Sequence, residues 1–405
     1  MVFVGVYRML LKLFYITLIA ELFLGGGGRL TEIGSNTLRM YLFSTALCLM
    51  LLPQFWRRVG ADVRLAFGMV ALFFLVHLPG LIFGLVRGVD ANVVFVELQP
   101  LMYFMMAPFF AQVLSKKQYV ELTSNFVRDA GLLLASAFII TLLCILIGLL
   151  DFSITYNVLN STGEFMFRGV DGLFFYKGFL YLCIALIFIL AKNESYRNLS
   201  IILVSSAIIL TLTRGFMLST MIAASLFFFL TGNRKALALM VMTSIIVAAM
   251  VLGYLPFETI LTRKDGDFSD HIRYADIDFM LKNVDALSLI FGNGFGALIS
   301  DSRLNIENSF LWIWWKIGLA GLLFWFSPLM LCYIAFKRIP ASSINFSLGC
   351  AYFCAVILIY IQSATNPYLN NPIGLSFVLI SIFSLRTLAR DHLDTSSLAL
   401  KLTKN

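Results

Sequence analysis

The sequence predicts an all-α polytopic membrane protein with about twelve transmembrane helices and one long extracytoplasmic loop. The first observation is composition: of 405 residues, 60% are hydrophobic and 13% are charged, and the mean hydropathy is +0.90. Such values are typical of integral membrane proteins. The second is that apolar runs of roughly twenty residues, the length that spans a bilayer, recur along the whole chain. Because no soluble stretch is long enough for a separate domain, we predict a single transmembrane domain over residues 1–405.

The apolar runs predict the helices in chain order. The first is predicted to remain uncleaved, because its apolar part is long and Arg8 and Lys12 lie inside its first turns. A polar stretch at residues 255–307 separates the ninth span from the tenth and is predicted to form the long loop. The predicted spans are 5–24, 37–56, 65–86, 92–114, 130–150, 172–191, 199–213, 215–231, 236–254, 309–335, 344–364 and 372–388.

Basic residues fall on alternate loops and predict the orientation. By the positive-inside rule, both termini are cytoplasmic and the 255–307 loop is extracytoplasmic, where nucleotides are absent as energy donors. The net charge of +8 is thereby explained by topology and requires no nucleic-acid partner. The residues concerned are Arg57, Arg58, Arg64, Lys116, Lys117, Arg128, Lys192, Arg197, Arg234, Lys235, Lys337, Arg338, Arg386, Arg390, Lys401 and Lys404.

The six cysteines all lie in apolar runs, where a thiol behaves as a small hydrophobe. This placement argues against a redox or metal-binding role.

Three cations on the predicted outer side are candidates for anion binding, since ionisable groups are costly near hydrocarbon. Arg214 lies in LTLTRGFMLST between two short spans. Its planar guanidinium suits phosphate oxygens, and the alternative is an interfacial arginine that reaches the headgroups. Arg168 and Lys177 either assist in binding a pyrophosphate or are themselves interfacial.

The loop and the fourth span add further candidates. The run FSDHIRYADIDFMLKN predicts an amphipathic helix. In it, Arg273 either pairs locally with Asp270 or Asp276 or binds a ligand, and His271 is either a solvated loop histidine or a base. Glu97, in the fourth span, either bonds across helices or reaches the substrate.

Glycines and asparagines mark two further turns. The run FGNGFGA lacks the preceding strand of a dinucleotide-binding motif and predicts a flexible turn that returns the loop to the membrane. Gly318 and Gly321 are expected to permit close helix contact. The cluster at residues 366–372 predicts a turn that also offers hydrogen bonds to sugar hydroxyls.

The run ENSFLWIWWKIGLAG resembles the signature of the bacterial O-antigen ligase and O-antigen polymerase superfamily. In that signature a histidine and a small polar residue precede a leucine and two glycines. The corresponding positions here are Glu307, Asn308, Leu311, Gly318 and Gly321.

Two other segments, and the predicted topology of the whole chain, carry the same resemblance. LTRGFML is similar to the family's Ser-Arg-Gly segment and puts Arg214 at its essential arginine. SDHIRYADIDFML followed by LIFGNGFGA resembles the loop arginine and glycine-rich return, which matches Arg273. The ligase histidine is replaced by Glu307, and this departure favours the polymerase branch.

The resemblance implies an inverting, membrane-embedded GT-C-type glycosyltransferase of the bacterial inner membrane, with its active site facing the periplasm. The implied partners are an undecaprenyl-pyrophosphate-linked oligosaccharide and membrane lipid; a chain-length regulator protein stays open, and no cofactor or metal is implied. Two alternatives are a ligase that transfers polymer to lipid A core and a flippase for lipid-linked oligosaccharide.

The expected roles follow from the chemistry of a glycosyl pyrophosphate. Its leaving group needs cations, and the acceptor hydroxyl must lose a proton. Arg214 and Arg273, assisted by Arg168, are expected to bind the pyrophosphate, while Glu307 acts as general base or orients the acceptor. The remaining predicted substrate-binding residues are Lys177, Asn308, Glu97 and His271.

Overall fold

The structure is a computed structural model that describes residues 2–34, 36–56, 59–167, 173–192, 195–251, 266–299 and 303–402. For residues 2–4, 54, 244–251, 266–273 and 392–402 it describes the backbone alone. Most of the predicted 255–307 loop is therefore described, but residues 255–265 and 300–302 are not.

The described chain is mostly helical. It also contains two short antiparallel hairpins, β1 (Glu32–Ile33) with β2 (Asn36–Thr37) and β3 (Phe165–Phe167) with β4 (Phe174–Tyr176). Three 3-10 helices are described as well, at Pro53–Trp56, Leu101–Met106 and Lys177–Phe179. The α-helices are α1 (Val2–Leu24), α2 (Leu38–Met50), α3 (Ala61–Val86), α4 (Ala91–Leu98), α5 (Ala107–Val113), α6 (Lys117–Leu146), α7 (Phe152–Asn160), α8 (Leu180–Ala191), α9 (Arg197–Leu210), α10 (Arg214–Leu230), α11 (Arg234–Val251), α12 (Gly266–Lys282), α13 (Ala286–Phe291), α14 (Ser309–Lys337), α15 (Phe346–Gln362) and α16 (Pro372–Leu402).

The helical membrane class is confirmed, but the count of about twelve spans is not. Every predicted span overlaps a helix. Among the described residues, four helices are long and apolar enough to cross a membrane: α3, α6, α14 and the Pro372–Asp391 part of α16. The bent pair formed by α4 and Leu101–Val113, at 43°, would make a fifth. Several other apolar helices are shorter than the roughly twenty residues a straight span needs.

The chain forms two compact units, and the prediction of a single membrane domain stays a prediction. The first comprises residues 1–57 and 118–213. In it the buried Glu164 carboxylate accepts hydrogen bonds from the Gly27 and Arg29 amides, at 2.6 and 3.1 Å. Arg39 pairs with Glu21 at 2.7 Å. These contacts hold the loop that follows α1.

The second unit comprises residues 58–117 and 214–405 and contains a helix, α14, that is interrupted at one residue. Within α14, Gly318 has φ 72° and ψ −163°, which interrupts the helical hydrogen bonds. The Trp315 and Lys316 carbonyls instead accept the amides of Asn293 and Gly294, at 2.7 and 3.0 Å. Both carbonyls therefore keep a backbone hydrogen bond although the helix is interrupted.

The glycine turn at residues 292–297 fills this break. Gly292, Gly294 and Gly296 have φ values of 80°, 89° and 78°, which only glycine adopts readily. On its other side, the Phe295 amide donates to the Gly80 carbonyl of α3 at 3.0 Å. The structure confirms a turn at these residues, and backbone hydrogen bonds hold it on both sides.

Candidate active site

Arg214 is the first residue of α10 and is exposed. The next residue, Gly215, packs so closely that a Cβ there would lie 3.0 Å from Gln362 Nε2 and 3.1 Å from Thr365 Oγ1. One residue further, the ring of Phe216 stacks on that of Tyr368, with centroids 6.2 Å apart. The start of α10 therefore lies against residues 363–371, which join α15 to α16 and are called the 363–371 turn below.

The start of α14 lies against the same turn. Glu307 is exposed and precedes the helix by two residues. Asn308 caps the helix, its Oδ1 accepting the Phe310 amide at 2.9 Å. The fully buried Ser309 donates its amide to the Ser363 carbonyl at 2.9 Å and its hydroxyl to Asn370 Oδ1 at 2.9 Å. The structure thus brings the helix starts that carry Arg214 and Glu307 to one turn.

A third helix also begins here. Pro372 starts α16 directly after the turn, and Asn371 Oδ1 accepts the Ile373 amide at 3.1 Å. The first turns of α10, α14 and α16, all within the described chain, contain no Asp or Glu. Because helix N-termini carry partial positive charge, their convergence beside Arg214 suits a bound anion.

In the loop, a buried carboxylate lies within electrostatic reach of Glu307. Asp276 of α12 is 1% exposed and forms an ion pair with Arg303. Burial raises the pKa of Asp276 above its ordinary value, the Arg303 guanidinium opposes this, and the negative charge of Glu307 raises the pKa further. Asp276, one local partner predicted for Arg273, is therefore engaged by Arg303.

Four predicted site residues are not brought to this turn: three have side chains that the structure does not describe, and the fourth lies in the first unit. The helix predicted around His271 and Arg273 is confirmed as α12, but their side chains lie outside the described residues, as does all of Arg168. Lys177 belongs to the first unit, in a 3-10 turn before α8, where its Nζ donates to the Gly163 carbonyl at 2.7 Å. The proposed ligand roles of these four residues stay predictions.

Glu97 makes the cross-helix contact that was one of its two predicted roles. Its carboxylate pairs with Lys316 of α14 at 2.7 Å and accepts the Gly296 amide at 2.6 Å. Lys316 Nζ also donates to the Ala297 carbonyl at 2.6 Å. The pair thus ties α4, α14 and the glycine turn together.

Sequence reasoning missed four residues of this region, and each carried a weak signal. Lys316 and Gln362 are polar positions inside apolar spans, which is a signal for an internal hydrogen bond. Arg303 is a loop cation four residues before Glu307, and Ser309 follows the cap. Their partners could not be read from the sequence, because helical periodicity specifies a face and not its neighbour.

The comparison with known proteins gives one full-length similarity. The chain is 30% identical over 390 residues to an O-antigen polymerase from Shigella flexneri. The alignment covers 93% of this chain and 96% of that protein. No protein-family model matches the chain.

Proposed function

This chain belongs to the O-antigen polymerases, and from that premise we propose the donor, the acceptor and the chemistry of its reaction. A growing glycan is transferred from undecaprenyl pyrophosphate to a lipid-linked repeat unit at the periplasmic face of the inner membrane. An acceptor hydroxyl attacks the anomeric carbon, the bond from that carbon to the pyrophosphate oxygen breaks, and the configuration inverts. The hydroxyl proton passes to a base, and undecaprenyl pyrophosphate leaves.

The observation that carries this proposal is the convergence of Arg214 and three helix N-termini on the 363–371 turn. The reaction releases a pyrophosphate whose negative charge grows as the glycosidic bond breaks. Groups that are already oriented toward that charge stabilise the transition state. Arginine also stays charged at any relevant pH and binds phosphate oxygens in a bidentate manner. Arg214 is therefore assigned to the leaving group.

Glu307 is assigned to the acceptor. It precedes α14 at the same turn, so a hydroxyl bound beside it would lie near the bond that breaks. A carboxylate there either accepts the hydroxyl proton or orients the hydroxyl for attack. Arg273 is proposed as a second pyrophosphate ligand with Arg168 assisting, and Lys177 and His271 as further substrate contacts.

Asn308 and Glu97 are proposed to support the site through the backbone they hold. Asn308 fixes the first turn of α14, and Glu97 fixes the glycine turn that precedes the segment carrying Glu307.

A gene deletion separates this activity from the ligase alternative. Without a polymerase, cells still attach single repeat units to the lipid anchor, whereas cells without a ligase attach none. We expect the deletion strain to show single units and no long chains on a lipopolysaccharide gel. A profile without any attached repeat units would instead assign the chain to ligation.

Purified protein tests the role of Arg214. In lipid nanodiscs with only the undecaprenyl-pyrophosphate-linked repeat unit, the wild type should form polymer, which would exclude transport as its main activity. Arg214→Ala should lose about 10²–10³-fold in kcat, the usual effect of removing one group that stabilises developing charge. Arg234→Ala is the matched control, because Arg234 is likewise exposed and begins a helix. Equal rates for the two variants would refute the assignment.

A further inference from the structure

Gln362 is a buried carboxamide next to the helix turn that begins with Arg214. It ends α15 and is 1% exposed. Its Oε1 accepts the Ser219 hydroxyl of α10 at 3.1 Å, and its Nε2 donates to Thr365 Oγ1 at 3.3 Å. Because Gly215 has no side chain, the carboxamide packs directly against the backbone that follows Arg214.

The hydrogen bonds continue from Gln362 to the start of α14. Asn366 Nδ2 donates to Thr365 Oγ1 at 3.2 Å, and the Ser309 hydroxyl shares its one hydrogen between Asn370 Oδ1 at 2.9 Å and the Asn366 carbonyl at 3.3 Å. Side chains and one carbonyl thus connect Ser219 of α10 with Ser309 of α14. Arg214 lies five residues before one end of this chain of contacts, and Glu307 lies two residues before the other.

Packing alone does not explain a carboxamide at this position. A methionine of similar volume would fill the same space without the desolvation cost of a buried amide. What the amide adds is direction, because its oxygen and nitrogen each require a partner at a fixed angle. Ser219 and Thr365 supply those partners, so the amide fixes α10 relative to the 363–371 turn.

We propose that Gln362 is a positioning residue that holds Arg214 and Glu307 at the separation required for glycosyl transfer. The inference rests on the proposed function. Gln362 itself contacts neither the lipid-linked donor nor the acceptor. It acts through the first turn of α10 and the turn that receives Ser309, so its loss moves the two charged groups without removing either.

The test uses the full-length protein in lipid nanodiscs with the lipid-linked repeat unit as substrate. Gln362→Met should lower kcat by about 10²-fold, the effect of roughly 1 Å of misplacement, with an unchanged thermal midpoint. Ser219→Ala, which removes one partner of the amide, should lower kcat less and in the same direction. Ser381→Ala is the control, because that serine is fully buried and bonds only to Phe377 of its own helix among the described contacts.

A double variant separates positioning from general stability. If Gln362 acts in part by positioning Arg214, Gln362→Met combined with Arg214→Lys should lose less kcat than the product of the two single losses, since the lysine already lacks the oriented guanidinium and only the displacement of Glu307 adds to its effect. A loss equal to the product of the single losses would overturn the proposal. A wild-type kcat in folded Gln362→Met would also overturn it. If Gln362→Met does not fold, a wild-type kcat in Ser219→Ala would do the same. A wild type that forms no polymer would overturn the proposed function instead, and the inference with it.

Discussion

Glu97 and Lys316 form an ion pair that is shielded from solvent, with side chains 4% and 0% exposed. Removing two charges from water is costly, and the pair persists only where further hydrogen bonds satisfy its remaining atoms. The Gly296 amide and the Ala297 carbonyl provide them. The pair therefore fixes the glycine turn, and not merely two helices, in its observed position.

Breaking one side of this pair should be strongly destabilising. Glu97→Gln leaves the Lys316 ammonium buried without its counter-charge, which costs about 3–5 kcal/mol in typical proteins. The thermal midpoint in nanodiscs should fall accordingly. Lys282→Gln, which breaks an exposed pair with Asp278, should leave the midpoint unchanged. A wild-type midpoint for Glu97→Gln would contradict this account.

The sequence identified Glu97 as a polar position that needed explanation, but it did not identify Lys316. The two lie 219 residues apart, so no local pattern joins them. Lys316 also falls inside a tryptophan-rich run whose spacing is compatible with an aromatic belt. Charge in an apolar run is readable from sequence, whereas the partner depends on how the helices pack.

At the scale of elements, α14 contains a break that apolar periodicity does not predict. The predicted span 309–335 agrees with Ser309–Lys337 to within two residues at its end. The break at Gly318 was not predicted, because a single glycine is also compatible with a straight helix in close contact. The deciding feature is the tertiary partner, since amides of the glycine turn bind the carbonyls that the break releases.

Glycine should be required at this break. Gly318→Ala needs a residue with a side chain at φ 72°, and its Cβ would overlap the Ile290 carbonyl. We expect lower thermal stability and loss of polymer formation, because displacing the glycine turn also displaces the segment that leads to Glu307. Gly68→Ala in α3 is the control, since a Cβ there meets no atom within 4 Å and alanine favours the helix. Unchanged stability and polymer length in Gly318→Ala would refute the requirement.

At the scale of the whole molecule, every apolar run predicted as a span overlaps a helix, but in the described chain only four or five helices are long and apolar enough to cross a bilayer. In the described chain α2, α8, α9, α10 and α15 contain 13, 12, 14, 17 and 17 residues. Hydropathy detects apolar composition, whereas the ends of helices depend on turns such as the one that places Arg214 at the start of α10. The alternation of basic loops is a separate signal, and it predicts orientation independently of helix length.

Two exposed tyrosines allow that orientation to be tested. Tyr274 of α12 is 73% exposed in the 255–307 loop, and Tyr196, in the basic loop before α9, is 77% exposed. If the positive-inside rule holds, an impermeant maleimide should label Tyr274→Cys in intact spheroplasts but Tyr196→Cys only after permeabilisation. The parent protein is the background control, because its six cysteines lie in apolar helices. The reverse pattern would place the loop in the cytoplasm, where Glu307 could not act on a periplasmic acceptor.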